Sequence, residues 1–313
     1  MSIQHDFEIW GGVDGGHVVD FLRALRVPVV ATLHSILGVP TPGQRAILTT
    51  LVEEADATVV MSDSAARLLG TAYGIDPGRV EVIPHGVPEL PLVDPETVKP
   101  AVNLQGRTVL LSFGLLRPGK GYEFVIDALP AVVAANPSVL YVVVGATHPD
   151  VIRIGGETYR NGLVEQVRRL GLQEHVLFLD HFVGRLELSR WLEAADVFLT
   201  PYTEMDKSAS GSLSYAMSAG RAIVSTSFLH ASEMLADGRG LLVQAGSPAA
   251  LATAVNALLD DDDLRAAIGQ RAHDHTRGMI WTAVGAGYSR LFADVTGGAR
   301  SARRAQPLEV AHA

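Results

Sequence analysis

The chain has 313 residues, 48% apolar and 19% charged, which is material for two ordinary globular domains and excludes a disordered polypeptide. It has no cysteine, so disulfides, a thiolate nucleophile and cysteine-ligated metals are excluded, and a reducing cytoplasm fits. The net charge of −9 is concentrated at the front, where residues 1–100 carry 13 acidic and 6 basic side chains; this argues against nucleic acid or an anionic membrane as the partner of that part.

Short β-branched runs alternate with amphipathic stretches, the pattern of parallel strands joined by crossover helices. After the apolar start SIQ, strands are predicted at 27–33, 57–61 and 80–83, with helices near 16–25, 43–54 and 62–73, the last capped by Ser62. Residues 84–100 hold five of the 16 prolines and read as an extended connection, so a first domain over 1–88 and a linker over 89–102 are expected. A second series follows, with strands at 108–113, 140–145, 176–179, 197–200, 222–225 and 241–243. Its helices fall at 122–135, 157–170, 186–195, 212–220, 248–259 and 262–271. Six strands suffice for a complete doubly wound sheet, here the domain 103–280. The run Asp260–Asp263 reads as a solvated helix start. A helix over 281–296 and a tail over 297–313, with little to bury and expected to be mobile, complete the chain. The longest apolar run, 139–146, is far short of the roughly 20 residues of a membrane span, and no secretory signal opens the sequence.

Ligands of open α/β sheets bind beyond the carboxyl ends of strands. After the strand 108–113 comes FGLLRPGKG, a glycine turn that carries Arg117 and Lys120 to a helix start. Two cations beside backbone amides suit a phosphate or diphosphate, the alternative being a solvated turn. After the strand 197–200, a polar loop leads to Ser210, Gly211, Ser212 and Leu213, where amide N–H groups can approach an anion. Two anion-ready helix starts on neighbouring strands point to one ligand with several phosphate oxygens, a nucleotide diphosphate. Glu204 and Asp206 suit sugar hydroxyls or remain solvated loop charges. His5, His34 and His85 each follow a strand and can line one crevice, with a structural hydrogen-bonding role equally open. His273 and His275 sit on a helix, where i and i+2 point apart, so no metal site is expected. Walker A, GxSxG and HExxH patterns are absent from the sequence, and GGVDGG lacks the spacing of a dinucleotide fingerprint.

The segments FGLLRPGKG, ADVFLTPY, SGSLSYAMSAG and EMLADGRGLLV, preceded by IQHDFEIWGG, PVVATLHS and VEVIPHGV, resemble glycosyltransferase family 4 over about residues 4–292. This resemblance implies the GT-B fold, α/β, with two Rossmann-like parallel-sheet domains facing a cleft, and a retaining transfer of a hexosyl group from a nucleotide-diphosphate sugar to an acceptor hydroxyl. It also implies no metal and no cofactor beyond that co-substrate. Arg117 and Lys120, with the amides of Gly211, Ser212 and Leu213, would hold the diphosphate. His34 would stand near the reacting centre, Gly145, Glu204, Lys207 and Tyr215 would contact sugar or nucleotide, and His5, Gly11, Gly12 and His85 would lie on the acceptor side. Lys207 and Tyr215 stand where the family has a pair of glutamates, and Ser35 replaces the aspartate that follows the family's histidine. The first domain is expected to begin at the family's fourth strand, so that a homo-oligomer or another partner would cover the incomplete sheet. A non-catalytic nucleotide-sugar-binding module and a nucleotide-sugar epimerase are the competing readings.

Overall fold

A computed structural model describes residues 1–297. They form two compact units: Met1–His85 with Asp206–Ala209 and the chain from Trp281 onward, and Gly86–Met205 with Ser210–Ile280.

In the first unit four parallel strands, β1 (Ser2–His5), β2 (Val30–Leu33), β3 (Ala57–Val60) and β4 (Glu81–Val82), lie side by side in sequence order. The sequences of β2 and β3, VATL and ATVV, suit strands covered on both faces. Helices His17–Ala24, Pro42–Glu54 and Asp63–Leu68 cover one face through Val18, Leu22, Leu48, Leu51 and Ala65. On the other face, helix Trp281–Gly297 sets Leu291 and Val295 against Val30 and Val59, and the Tyr288 hydroxyl lies 3.1 Å from Thr32 Oγ1. Ser62 caps as expected, accepting from the Ala65 amide at 3.1 Å. The helix it starts is shorter than the sequence suggests. It ends at Leu68 and continues as a wider turn, Leu69–Tyr73, into Gly74.

The second unit holds six parallel strands, β5 (Thr108–Phe113), β6 (Val139–Val144), β7 (Val176–Leu179), β8 (Val197–Thr200), β9 (Ala222–Thr226) and β10 (Leu241–Val243). Their order is β10-β9-β8-β5-β6-β7. Counted within the unit from β7, this is 3-2-1-4-5-6, the Rossmann arrangement, with its reversal between β5 and β8. Residues alternate between two apolar layers, Val109, Leu111 and Phe198 facing one and Leu110, Val197 and Leu199 the other. Helices Pro149–Gly155 and Leu229–Met234 are additions that the sequence pattern does not announce.

The structure overturns the extended linker expected over 89–102. Pro95–Val98 is a helical turn capped by Asp94, followed by a tighter turn over Lys99–Val102. Pro95 opens a turn, where its missing N–H is no loss. Lys99 is fully buried, its ammonium paired with Glu96 and, at 2.9 Å, with Asp196, which also accepts the Val109 amide at 2.6 Å. Arg221, buried, donates to the carbonyls of Val93, Glu193, Ala195 and Ala219, and burial lowers its pKa to about 10. Residues 86–102 therefore belong to the core of the second unit. The tail expected at 297–313 lies, from residue 298 on, outside the described residues. Among the described residues no helix is long and apolar enough to cross a membrane.

Candidate functional site

In the second unit, the loops after β5 and β8 leave the sheet on either side of the strand-order reversal, and they are locked to one another. Gly121 (φ +72°) approaches the start of the second loop so closely that a Cβ there would lie 1.9 Å from the Pro201 carbonyl oxygen. The Thr203 amide donates to the Gly119 carbonyl at 3.0 Å. At the end of β6, Gly145 (φ +144°) leaves room for the backbone of Gly114, where a Cβ would come within 2.3 Å of its oxygen. Only glycine fits either approach.

This packing brings the expected anion-binding residues together. Lys120 donates to the Tyr202 hydroxyl at 3.1 Å, and its ammonium lies 4.2 Å from the centre of that ring. The Tyr202 hydroxyl is 2.7 Å from Ser212 Oγ, which is 3.2 Å from Ser210 Oγ. Ser210 caps helix Gly211–Ser218 by accepting from the Leu213 amide, and its own amide donates to His230 Nδ1 at 3.1 Å. The first turn of any helix presents amide N–H groups without intrahelical acceptors, together with the positive end of the dipole. Arg117 lies on the same loop as Lys120 and is engaged by the Glu204 carboxylate at 2.9 Å. Glu204 rests above Gly119, where a Cβ would come within 2.6 Å of Oε1. The unit thus ties one cation, Lys120, to a serine hydroxyl at a helix start, and holds a second, Arg117, on the same loop against Glu204.

Other expected contacts fall differently. Gly145 is buried and its carbonyl accepts from Arg160 at 2.7 Å. Tyr215 is half-buried against the core, its ring 6.2 Å from that of Phe113. Lys207 falls with Asp206–Ala209 in the first unit, whereas Glu204 and Tyr215 belong to the second. Asp206 accepts from the Gly38 amide at 2.8 Å and is an anchor for the turn after β2, not a free loop charge. Tyr202 ends the segment ADVFLTPY but has no role among the sequence expectations; a tyrosine immediately after the strand end and its proline is the signal that points to it.

In the first unit the strand ends collect imidazoles. His5 closes β1, fully buried and edge-on to Phe7, and among the described residues neither ring nitrogen has a hydrogen-bond partner. Burial pushes its pKa down to about 4. His34 Nε2 lies 2.7 Å from Gln4 Oε1. Its pKa is also lowered, chiefly by burial and further by His85, with Asp6 opposing. Asp6 accepts from the Ser35 hydroxyl. A carboxylate is therefore present beside His34, but it comes from the end of β1 and not from position 35, which sequence comparison by position alone misses. The His85 ring stands 6.0 Å from Trp281. Gly11 and Gly12 form an exposed turn wrapped against the imidazole of His17, where a Cβ on either would lie 2.7 Å from the ring.

Residues 107–261 match the family model described as glycosyl transferases group 1, and residues 12–89 match that of glycosyltransferase family 4. The chain is 29% identical over 306 residues to the D-inositol 3-phosphate glycosyltransferase of Corynebacterium glutamicum, covering 89% of this chain and 70% of that protein. It is 30% identical over 279 residues to the phosphatidyl-myo-inositol mannosyltransferase of Mycolicibacterium smegmatis, covering 88% and 67%. Anabaena HepE, whose structure is in complex with UDP, superposes with a TM-score of 0.72 at 22% identity over 90% of this chain and 75% of its own, a likeness of fold. With two parallel-sheet domains of the GT-B kind and this level of identity, the chain belongs to the group 1, family 4 glycosyltransferases.

Proposed function

We propose that this glycosyltransferase moves a hexosyl group from a nucleotide-diphosphate sugar to an acceptor hydroxyl, with retention of anomeric configuration and without a divalent metal. The observation that carries the reading is the link from Lys120 through Tyr202 to Ser212 at the start of helix Gly211–Ser218, with Arg117 on the same loop as Lys120, at the reversal between β5 and β8. Solved structures of HepE hold UDP and UDP-glucose, which supports a nucleotide sugar as the donor class. The curated relatives are named for inositol derivatives, which supports a hydroxyl as the acceptor.

The chemistry follows from where charge develops. As the bond between the anomeric carbon and the phosphate oxygen loosens, negative charge gathers on the leaving diphosphate and positive charge on the sugar ring. The Lys120 ammonium, the Arg117 guanidinium and the amides of Gly211 and Ser212 are donors for that oxygen charge, the Leu213 amide joining them once it leaves the Ser210 cap, so neutralisation needs no metal. Arg117 exchanges Glu204 for a phosphate oxygen. The acceptor oxygen bonds to the anomeric carbon on the face the diphosphate leaves, and its proton passes to a departing phosphate oxygen. His34, Asp6 and His5 stand at the strand ends of the first unit as the acceptor-side group.

Release of nucleoside diphosphate from a panel of nucleotide hexoses tests this reading. Lys120→Ala is expected to slow release by roughly 100-fold or more, as loss of one preorganised donor does, with an unchanged unfolding midpoint and no effect of EDTA on the wild type. Near-normal turnover by both Lys120→Ala and Arg117→Ala removes the assignment.

A further inference from the structure

We infer that Tyr202 is a positioning residue for the transfer reaction: its phenol ties the cation of one loop to the helix start of the other. The inference rests on the diphosphate reading above and adds to it a residue that touches neither sugar nor acceptor.

The geometry is specific. An ammonium has hydrogens and no lone pair, so in the 3.1 Å contact Lys120 donates and the Tyr202 oxygen accepts. The phenol still has its own proton, and Ser212 Oγ lies within hydrogen-bond distance of it, 2.7 Å away. Ser212 Oγ lies 3.2 Å from Ser210 Oγ in the structure as it stands, its hydroxyl a donor for an arriving phosphate oxygen. The contacts run from Lys120 through Tyr202 to Ser212, with the Lys120 ammonium as the donor of the first.

Tyr202 is rigid enough to serve as the reference point. It is 4% exposed, its ring stacks on Phe228 at 5.0 Å between centroids, and its carbonyl accepts from Thr226 Oγ1. Lys120 has four rotatable side-chain bonds and loses rotamer freedom when held. The phenol holds the ammonium near the helix start before any anion arrives, so the ordering cost does not fall on the binding or bond-breaking step. The ring face adds a second attraction for the same cation.

The test uses inorganic pyrophosphate as the probe, titrated calorimetrically against the full chain, with turnover of a nucleotide hexose measured beside it. Tyr202→Phe keeps the ring and its stacking on Phe228 and removes only the hydroxyl. It is expected to weaken pyrophosphate binding about fivefold and to lower kcat about tenfold, which is about 1.4 kcal/mol, with an unfolding midpoint near that of the wild type. Because Tyr202 acts largely through Lys120, Tyr202→Phe in a Lys120→Ala background is expected to cost clearly less than it does in the wild type. A purely structural role would instead give additive losses. Ser212→Ala approaches these contacts from their other end and is expected to weaken pyrophosphate binding in the same direction. Wild-type affinity in Tyr202→Phe, or full additivity with Lys120→Ala, overturns the positioning role while leaving the diphosphate reading in place. Unchanged binding by Lys120→Ala overturns the diphosphate reading and the positioning role with it.

Discussion

Glu204→Gln gives the sharpest check on how the cradle accepts its ligand. In the structure Arg117 is not waiting for a phosphate; it is held by the Glu204 carboxylate at 2.9 Å. The two side chains are 28% and 38% exposed, so water screens the pair, and pairs of this kind contribute about 0.2–1 kcal/mol. An anion that takes Arg117 must break this pair, and its apparent affinity is reduced by what the pair contributes. Glutamine fills the same space above Gly119 without the charge. Pyrophosphate binding by calorimetry at low ionic strength should therefore tighten, at most about fivefold for about 1 kcal/mol, and the gain should shrink as salt is added. Equal or weaker pyrophosphate binding by Glu204→Gln refutes the idea that Glu204 occupies the place of the phosphate. Weaker binding of the intact nucleotide sugar alone would instead return Glu204 to the role of a sugar contact.

Two further expectations concern stability. Asp196→Ala leaves the Lys99 ammonium buried without its interior partner and strips the Val109 amide of its acceptor; a loss of about 3–5 kcal/mol is expected, a fall of roughly 6–20 °C in the unfolding midpoint, and a shift below 2 °C would count against it. His5 has a folded pKa of about 4 against 6.5 in an unfolded chain, so between those values the unfolded state binds more protons and stability falls as pH falls. The loss from this group between pH 7 and pH 5 is about 2 kcal/mol, and His5→Phe, which removes the titrating ring, should flatten the pH dependence of unfolding in that window; parallel curves for the two proteins would refute it.

Much of the fold is legible because burial on both faces leaves a plain mark on a parallel strand. VLYVVV at β6 and TVLLSF at β5 can hardly be anything else, and their spacing by amphipathic helices implies the doubly wound order. The start of helix Asp262–His275 is equally plain, since Asp261 accepts from the Leu264 amide at 2.8 Å as an acidic cap should. The segment around Pro95 is not legible, because proline fixes the same φ in an extended connection and at the first position of a helical turn. What decides between them is Lys99 reaching Asp196, 97 positions away. Helix Leu229–Met234 escapes for another reason: it is six residues long and has no side-chain cap.

The site divides along the same line. Arg117 and Lys120 stand out because glycines and cations share one short turn. Tyr202 does not, since its partners lie 82 and 10 positions away. Asp6 escapes likewise, being joined to Ser35 across 29 positions. Contacts local in sequence announce a chemistry; contacts between strand ends have to be seen.

The charges that the two units present at their strand ends favour the second over the first for an anion. Both sheets are parallel, so both present their chemistry-bearing residues at the carboxyl ends of strands. At those ends the first unit offers His5 and His34, whose charged forms are disfavoured by burial, together with the Asp6 carboxylate. Neutral imidazoles beside a carboxylate can exchange hydrogen bonds with hydroxyl groups, but they repel a doubly charged phosphate group more than they hold it. The second unit offers Lys120 and Arg117 at a helix start. An anion partitions toward fixed cations and the positive end of a helix dipole, and a hydroxyl acceptor suits the neutral side. The excess of acidic residues over 1–85, ten against five basic, acts in the same sense, since it disfavours anions over that stretch of the first unit and not only at its strand ends.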